Sequence, residues 1–454
     1  MLTDICSCEV SLGDDDALDA RNGVILGVMS HGQSTAGHLT TLLERAPDFA
    51  MGHAMKGLAC LMLGRRETIA AAAEANVAAQ SALARGGATP REVLWCRALD
   101  AWLSGKPTSA IARMEEAIRL NPADTISMKL SHGIRFILGD NHGMLRSVEY
   151  VLSAHGPSHK LYGYALGCHA FALEEMGHYA KAEQAGLRGL EFADDDAWGL
   201  HAVAHVYDMT NDTGRGIDLI DRNMAAWSHC NNFRFHVWWH KALLHLDAGD
   251  VATVLDLYDR KIRDEKTDDY RDISNATSLL MRLEMEGVDV GDRWVELADL
   301  AERRTDDGCL TFADMHYMLA LIGETRPDAV DRLNASVAER AEAADDMAEV
   351  MSSPGLATSQ GLTAFGDADY GRAFSHLKVA QPDFQAMGGS HAQRDVFERL
   401  TIEAGLRAGR LAETEGLLRA RTRLRGGHED SFAASRMARI TAMRSLSAPS
   451  TAAE

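Results

Sequence analysis

Apolar residues recur at three- and four-residue spacing along almost the whole chain, the signature of amphipathic helices. Single glycines punctuate the pattern: Gly64, Gly105, Gly139, Gly177, Gly249, Gly287, Gly323, Gly366 and Gly409 each lie between two such stretches. Where the spacing doubles, between Gly177 and Gly249, Asn211 falls at the missing turn. Asparagine also tolerates the left-handed backbone that a tight turn demands. Alternation of period two persists nowhere, which predicts no sheet. A unit of 34 to 43 residues made of two helices predicts an all-α fold, a superhelical α-solenoid.

The units follow a tetratricopeptide-type pattern, about ten degenerate helix hairpins. Leu166, Ala170, Leu173, Gly177, Tyr179 and Ala182 take the bulky, small, turn and aromatic places of one unit. Small residues there let paired helices approach closely, and the aromatic after the turn fills the gap between them. The expected division is a flexible N-terminus at 1–15, one repeat domain over 16–446 and a disordered tail at 447–454. Residues 264–271 read as a connecting loop, and 347–361 as a broken helix or a loop on the concave side.

Composition narrows the function more than the fold. The formal net charge of −20 repels phosphate backbones and anionic lipid, so neither nucleic acid nor a membrane surface is an expected partner. The basic run 419–425 reads as the solvated end of a helix. Seven scattered cysteines suit reduced thiols and a cytoplasmic location. Cys6 and Cys8 sit in what reads as a frayed terminus. The first residues have neither the basic nor the apolar region of a signal peptide, and no apolar stretch reaches membrane-span length.

Candidate chemistry concentrates between Trp198 and Asp250, which hold six of the 19 histidines and four of the seven tryptophans. Counting back from the turn at Asn211 puts His201 and His205 on the concave face, one helical turn apart. In the next unit His236 and Trp239 share that face with His240 at its edge, while Trp238 points to the core. Two HxxxH pairs on neighbouring helices suit a divalent transition metal, zinc or iron, with Glu174 and Glu175 as the nearest carboxylates. A metal-free histidine site and plain groove lining are the alternatives. Asp314 and His316 precede a core helix. His391, Gln393, Arg394 and Asp395 fall in the first turn of a helix capped by Ser390, where free amides beside Arg394 form an anion seat. A capped helix with a surface ion pair is the plainer reading. A superhelix of this length turns back on itself, so the late helices can close over the 201–240 groove. Phosphate-loop, dinucleotide, zincin, CxxC and GxSxG motifs are all missing from the sequence.

The stretches HAVAHVYDM, FRFHVWWHKALLHLDAGD, FADMHYMLAL and GGSHAQRDVFERL resemble the tetratricopeptide repeat protein 38 family, over about residues 40–425. At Asn211–Asp212 the chain departs from the Gly-Arg expected there. The resemblance implies a degenerate α-solenoid and no settled reaction. Its motifs fall on His201, His205, His236, Trp239, His240, His316, His391, Gln393, Arg394 and Asp395. Two functions compete: a His/Trp-lined groove binding a small molecule or metal, with or without catalysis, and a non-enzymatic scaffold for a peptide or partner protein. The choice of histidine and tryptophan, rather than lysine, arginine and asparagine, favours the first.

Overall fold

A computed structural model describes residues 1–447. Helices succeed one another from Asp15–Ser30 to Ser431–Ser447. Each packs on the helix before it and the one after, the arrangement of an α-solenoid of hairpins. In the hairpin Tyr162–Glu175/Tyr179–Leu190, Ala170, Leu173 and Ala182 are buried where the pattern places them. Of the tail expected at 447–454, all but residue 447 lies outside the described residues.

The turns follow the glycines with two exceptions. Gly64, Gly105, Gly139, Gly177, Gly249, Gly287 and Gly409 have positive φ, as does Asn211. Gly323 and Gly366 are instead the last residues of the helices Thr311–Gly323 and Leu356–Gly366, where a Cβ would press on Trp294 and on Ile322. The left-handed residues there are Thr325 and Ala368. Gly139 meets two demands at once: φ is +66°, and a Cβ would collide with the carbonyl oxygen of Gln385. The segment expected to break does so, as a wide turn at Met351–Gly355 between Asp346–Val350 and Leu356–Gly366.

Two expectations about the chain's ends are corrected. Residues 1–15 are not a loose arm, and the described residues include a small sheet: Leu2–Thr3 pairs antiparallel with Glu9–Val10. The hairpin is held by Asp4, whose carboxylate lies 2.7 Å from Arg91 and 3.4 Å from Arg21, all three buried. Cys6 and Cys8 are buried with it. The basic run is only half a solvated helix end: Arg419 and Arg423 are exposed. Arg421 and Arg425 are buried, Arg421 against Asp395 at 2.5 Å and Asp430 at 2.6 Å, Arg425 against Asp208 at 3.3 Å.

Those arginines belong to a closure. The C-terminal helices turn back on the middle of the chain through Arg425–Asp208, Arg436–Glu286 and the Tyr179 hydroxyl, which donates to the Leu424 carbonyl. The N-terminal helices are joined in turn to 229–312 and 345–389: Asn231 N–H donates to the His31 carbonyl, Arg304 pairs with Glu67, and the Gln385 amide donates to the Gly139 carbonyl. These contacts bring both ends of the chain back over part of the concave side.

Candidate functional site

The helices Ala197–Met209 and Phe233–Asp247 lie side by side and bring two i, i+4 histidine pairs together. Their Nε2 atoms converge, with His205 to His201 at 2.8 Å, His201 to His236 at 3.0 Å and His236 to His240 at 3.1 Å. All four offer a ligand atom within 4.8 Å of the others. His201, His205 and His240 are buried and His236 is half-buried. Burial, reinforced by the neighbouring imidazoles, holds His201 and His240 well below the usual histidine value. Burial also brings His205 down to about 3 and His236 to about 4. The cluster is therefore four neutral imidazoles, the protonation state that binds metal.

Hydrogen bonding alone leaves the cluster frustrated. His236 Nδ1 lies 2.8 Å from Asn275 Oδ1, an acceptor, so Nδ1 carries the proton and Nε2 a lone pair. Two contacts meet that lone pair, and a third joins His201 to His205. Each neutral imidazole has one N–H, so satisfying all three requires a shared proton; a cation would take all four Nε2 lone pairs, with the Nδ1–H of His201 and His240 then left without an acceptor. Behind His205 stands Glu174, fully buried, with Oε2 3.7 Å from His205 Nδ1 and no hydrogen-bond partner on either oxygen. Burial pushes Glu174 up to about 7. A carboxylate and an amide oxygen behind ligating histidines are the usual partners that fix ring orientation at a metal.

The anion seat expected at residues 390–395 exists, and the chain fills it itself. Glu175 Oε1 accepts the His391 backbone N–H at 2.7 Å, at the start of the helix His391–Arg407, and Oε2 accepts Arg394 Nη2 at 3.0 Å. Burial would raise Glu175, but His391 and Arg394 outweigh it and hold the carboxyl at about 2. His391 Nδ1 stands 3.7 Å from both Glu174 and Glu175, and these carboxylates raise it against the effect of burial. The donor set Glu174, Glu175 and His391 is compact enough for a metal, but Arg394 and the His391 amide already take both oxygens of Glu175. No external anion is needed or accommodated there.

The remaining expected residues divide. Gln393 closes a capping box with Ser390 and faces the interior space. Asp395 is tied to Arg399 at 2.6 Å and Arg421 at 2.5 Å, so it belongs to the closure. His316 is buried and bonded through Nδ1 to the Phe312 carbonyl at 2.7 Å; it takes no part in the cluster. Trp239 shares the face of His236 as expected, but neither of the adjacent tryptophans lines the interior space. Trp239 is 0% exposed, stacked on His236 and edge-on to His240, while Trp238 is partly exposed beside Trp227.

Trp198 is the aromatic that lines open space, together with residues that sequence reasoning did not single out. A chamber of about 410 Å³ is walled by the first helices, by residues 126–137 and by the middle of the chain, and His201 and His236 form part of its wall. Its surface is mostly apolar, with Phe136, Leu130, Leu310 and Phe312 around Trp198 and His31. Such a space, with a few converging polar groups, has the size and character of a small-molecule site.

No family model matches the chain. Among solved structures it is similar to the human IFIT1 dimer with PPP-AAAA, at 14% identity and a TM-score of 0.41 over 96% of each chain. It is also similar to a chain of the Naa15/Naa10 complex bound to HypK-THB, at 13% identity and a TM-score of 0.23, covering 94% of this chain and 66% of that one. At these scores the likeness adds nothing to what the helices themselves show. No described helix is long and apolar enough to cross a membrane.

Proposed function

We propose that this protein is a metal-dependent small-molecule binder, with His201, His205, His236 and His240 as ligands of one divalent transition metal. The observation that carries the reading is the convergence of four buried, neutral Nε2 atoms at 2.8–3.1 Å. Ligands at right angles about a centre with bonds of about 2.0–2.1 Å stand about 2.9 Å apart, and tetrahedral ones about 3.4 Å. The separations lie within the range that four nitrogen ligands of one zinc or iron ion span. His201 and His236 reach the chamber wall, so a ligand in the chamber would approach the centre from that side. When bound, the metal would supply Lewis acidity or redox chemistry, and Glu174 would offset the charge of a cation held by four neutral ligands.

The likeness of the histidine-bearing motifs to the tetratricopeptide repeat protein 38 family supports reading them as one unit, and the free cysteines support a reducing, cytoplasmic setting. The scaffold alternative requires a wide, open concave face, and the late helices of this chain narrow it.

Elemental analysis of protein purified without a histidine tag tests the reading, beside His201→Ala/His205→Ala. About one equivalent of iron or zinc, lost in the variant with helicity kept, is expected. A native protein that stays metal-free when grown and refolded with these metals overturns it.

A further inference from the structure

The chamber has chemistry of its own, apart from the histidines. Its wall contains three charged residues, and two are already satisfied. Arg271 is held by Asp269 at 2.5 and 2.8 Å. Asp272 accepts from Thr267 at 2.5 Å and from Asn232 at 3.4 Å. Lys129 is the third. Its ammonium sits over the Trp198 ring, 4.5 Å from the centroid, and its other polar neighbour is the Cys168 thiol at 3.8 Å. Among the described residues no carboxylate lies within ion-pair distance of it. The nearby carboxylate that feels its charge, Asp196, is buried beyond ion-pair distance with neither oxygen bonded, and burial pushes it up to about 7, so it balances the ammonium only weakly and leaves room for a negative ligand group.

Unpartnered polar atoms collect around the same place. Trp198 Nε1, His31 Nε2 and both ring nitrogens of His132 are buried without a protein partner, and all three residues line the chamber. Trp198 packs against His201 with ring centroids 5.1 Å apart, so the ammonium and the imidazole cluster both adjoin one indole. Beyond them the wall is largely aliphatic and aromatic.

We infer that the chamber binds a small amphipathic carboxylate, its anionic head at Lys129 and its apolar body between Phe136, Leu310 and Phe312. The inference rests on reading the chamber as the ligand side of the metal centre, but its chemistry depends on Lys129 alone. The carboxylate accepts a charge-assisted hydrogen bond from the ammonium, and the apolar chain displaces water from the hydrophobic wall.

Titration calorimetry with octanoate, 1-octanol and octylamine tests it, on metal-loaded and on chelator-stripped protein. Octanoate is expected to bind one to one, with 1-octanol and octylamine each weaker by about tenfold or more, the worth of one charged hydrogen bond. Lys129→Met should lose that preference with its metal content unchanged, and Lys129→Arg should keep it. Equal binding of octanoate and octanol, no binding of octanoate, or an unchanged preference in Lys129→Met each overturns the inference. Octanoate selectivity in a protein that takes up no metal would sustain this inference while the metal reading fails.

Discussion

The closure over the histidine cluster depends on one buried pair whose removal has a calculable effect. Glu175 and Arg394 meet at 3.0 Å with side chains almost fully excluded from solvent, and they join residues 219 apart in sequence. Glu175→Gln keeps an oxygen for the His391 amide but leaves the Arg394 guanidinium with the Gly389 carbonyl as its remaining partner. Breaking a buried pair from one side costs about 3–5 kcal/mol, because the surviving charge stays desolvated. Arg394→Met should cost less, because Glu175 keeps the His391 amide, the His391 ring and the Asn141 side-chain amide at 3.1 Å. The double variant removes both charges. It should lose less than either single variant, for a coupling of at least about 2 kcal/mol. Amide exchange across 391–407 reads this directly: Glu175→Gln should lower protection by roughly a hundred- to a few thousandfold, and the double should restore most of it. Strictly additive losses, or protection unchanged in both single variants, would refute the account of the seat as a desolvated ion pair.

Other perturbations probe separate parts of the structure. Glu174→Gln should weaken metal affinity by roughly 10–100-fold in chelator competition while leaving stoichiometry at saturating metal intact, since it stands behind a ligand and is not one; unchanged affinity would remove it from the centre. Asp4 is held below its ordinary 3.8: burial raises it, and Arg91 and Arg21 outweigh that. Its stabilisation is present above pH 3.8 and is lost as pH falls through the lower folded value, so proteolysis near residues 2–12 should begin only below about pH 4. Asp4→Asn should expose the same segment at pH 7, and a hairpin protected at both pH values in both proteins would contradict this. Gly139→Ala should lower the melting temperature well beyond Gly177→Ala, because both have positive φ but only Gly139 has a carbonyl in the way; the Gly177 change should cost about 1 kcal/mol, and equal shifts would mean the Gln385 contact is dispensable.

What the sequence made legible was periodic or local. The four histidines could be placed because i, i+4 spacing fixes their common face, and successive first helices of a solenoid are neighbours. The burial of Trp238 and Trp239 was not legible: adjacent residues must point apart, but how deep each one lies depends on a helix rotation set by tertiary packing. Gly323 and Gly366 misled for a related reason, since close packing on Trp294 and Ile322 also selects glycine. The helix N-terminus at His391 was recognisable from Ser390 and Gln393, and its occupant was not, because Glu175 arrives from 216 residues away. Arg421 and Arg425 read as surface because charge composition carries no information about distant aspartates.

The site exists only once the chain has closed. The histidines come from two middle helices, Glu174 from the helix before them, and Lys129 and His31 from still earlier ones. Phe312 and Gln393 approach from the far end. An open solenoid of the same helices would present His201 and His236 on a solvated groove, where water satisfies their nitrogens and a cation gains little. Closure leaves lone pairs facing one another, with the Glu174 carboxylate met only by two imidazoles at 3.7 Å and the Lys129 ammonium only by an indole face and a thiol. Those costs are borne by the closing contacts, the buried arginine pairs above all, and any occupant that relieves them must stabilise the closed ring by the same free energy. A frustrated interior inside a heavily braced fold is the arrangement expected of a site built for an occupant, and a packing core of the same size would have been filled with leucine.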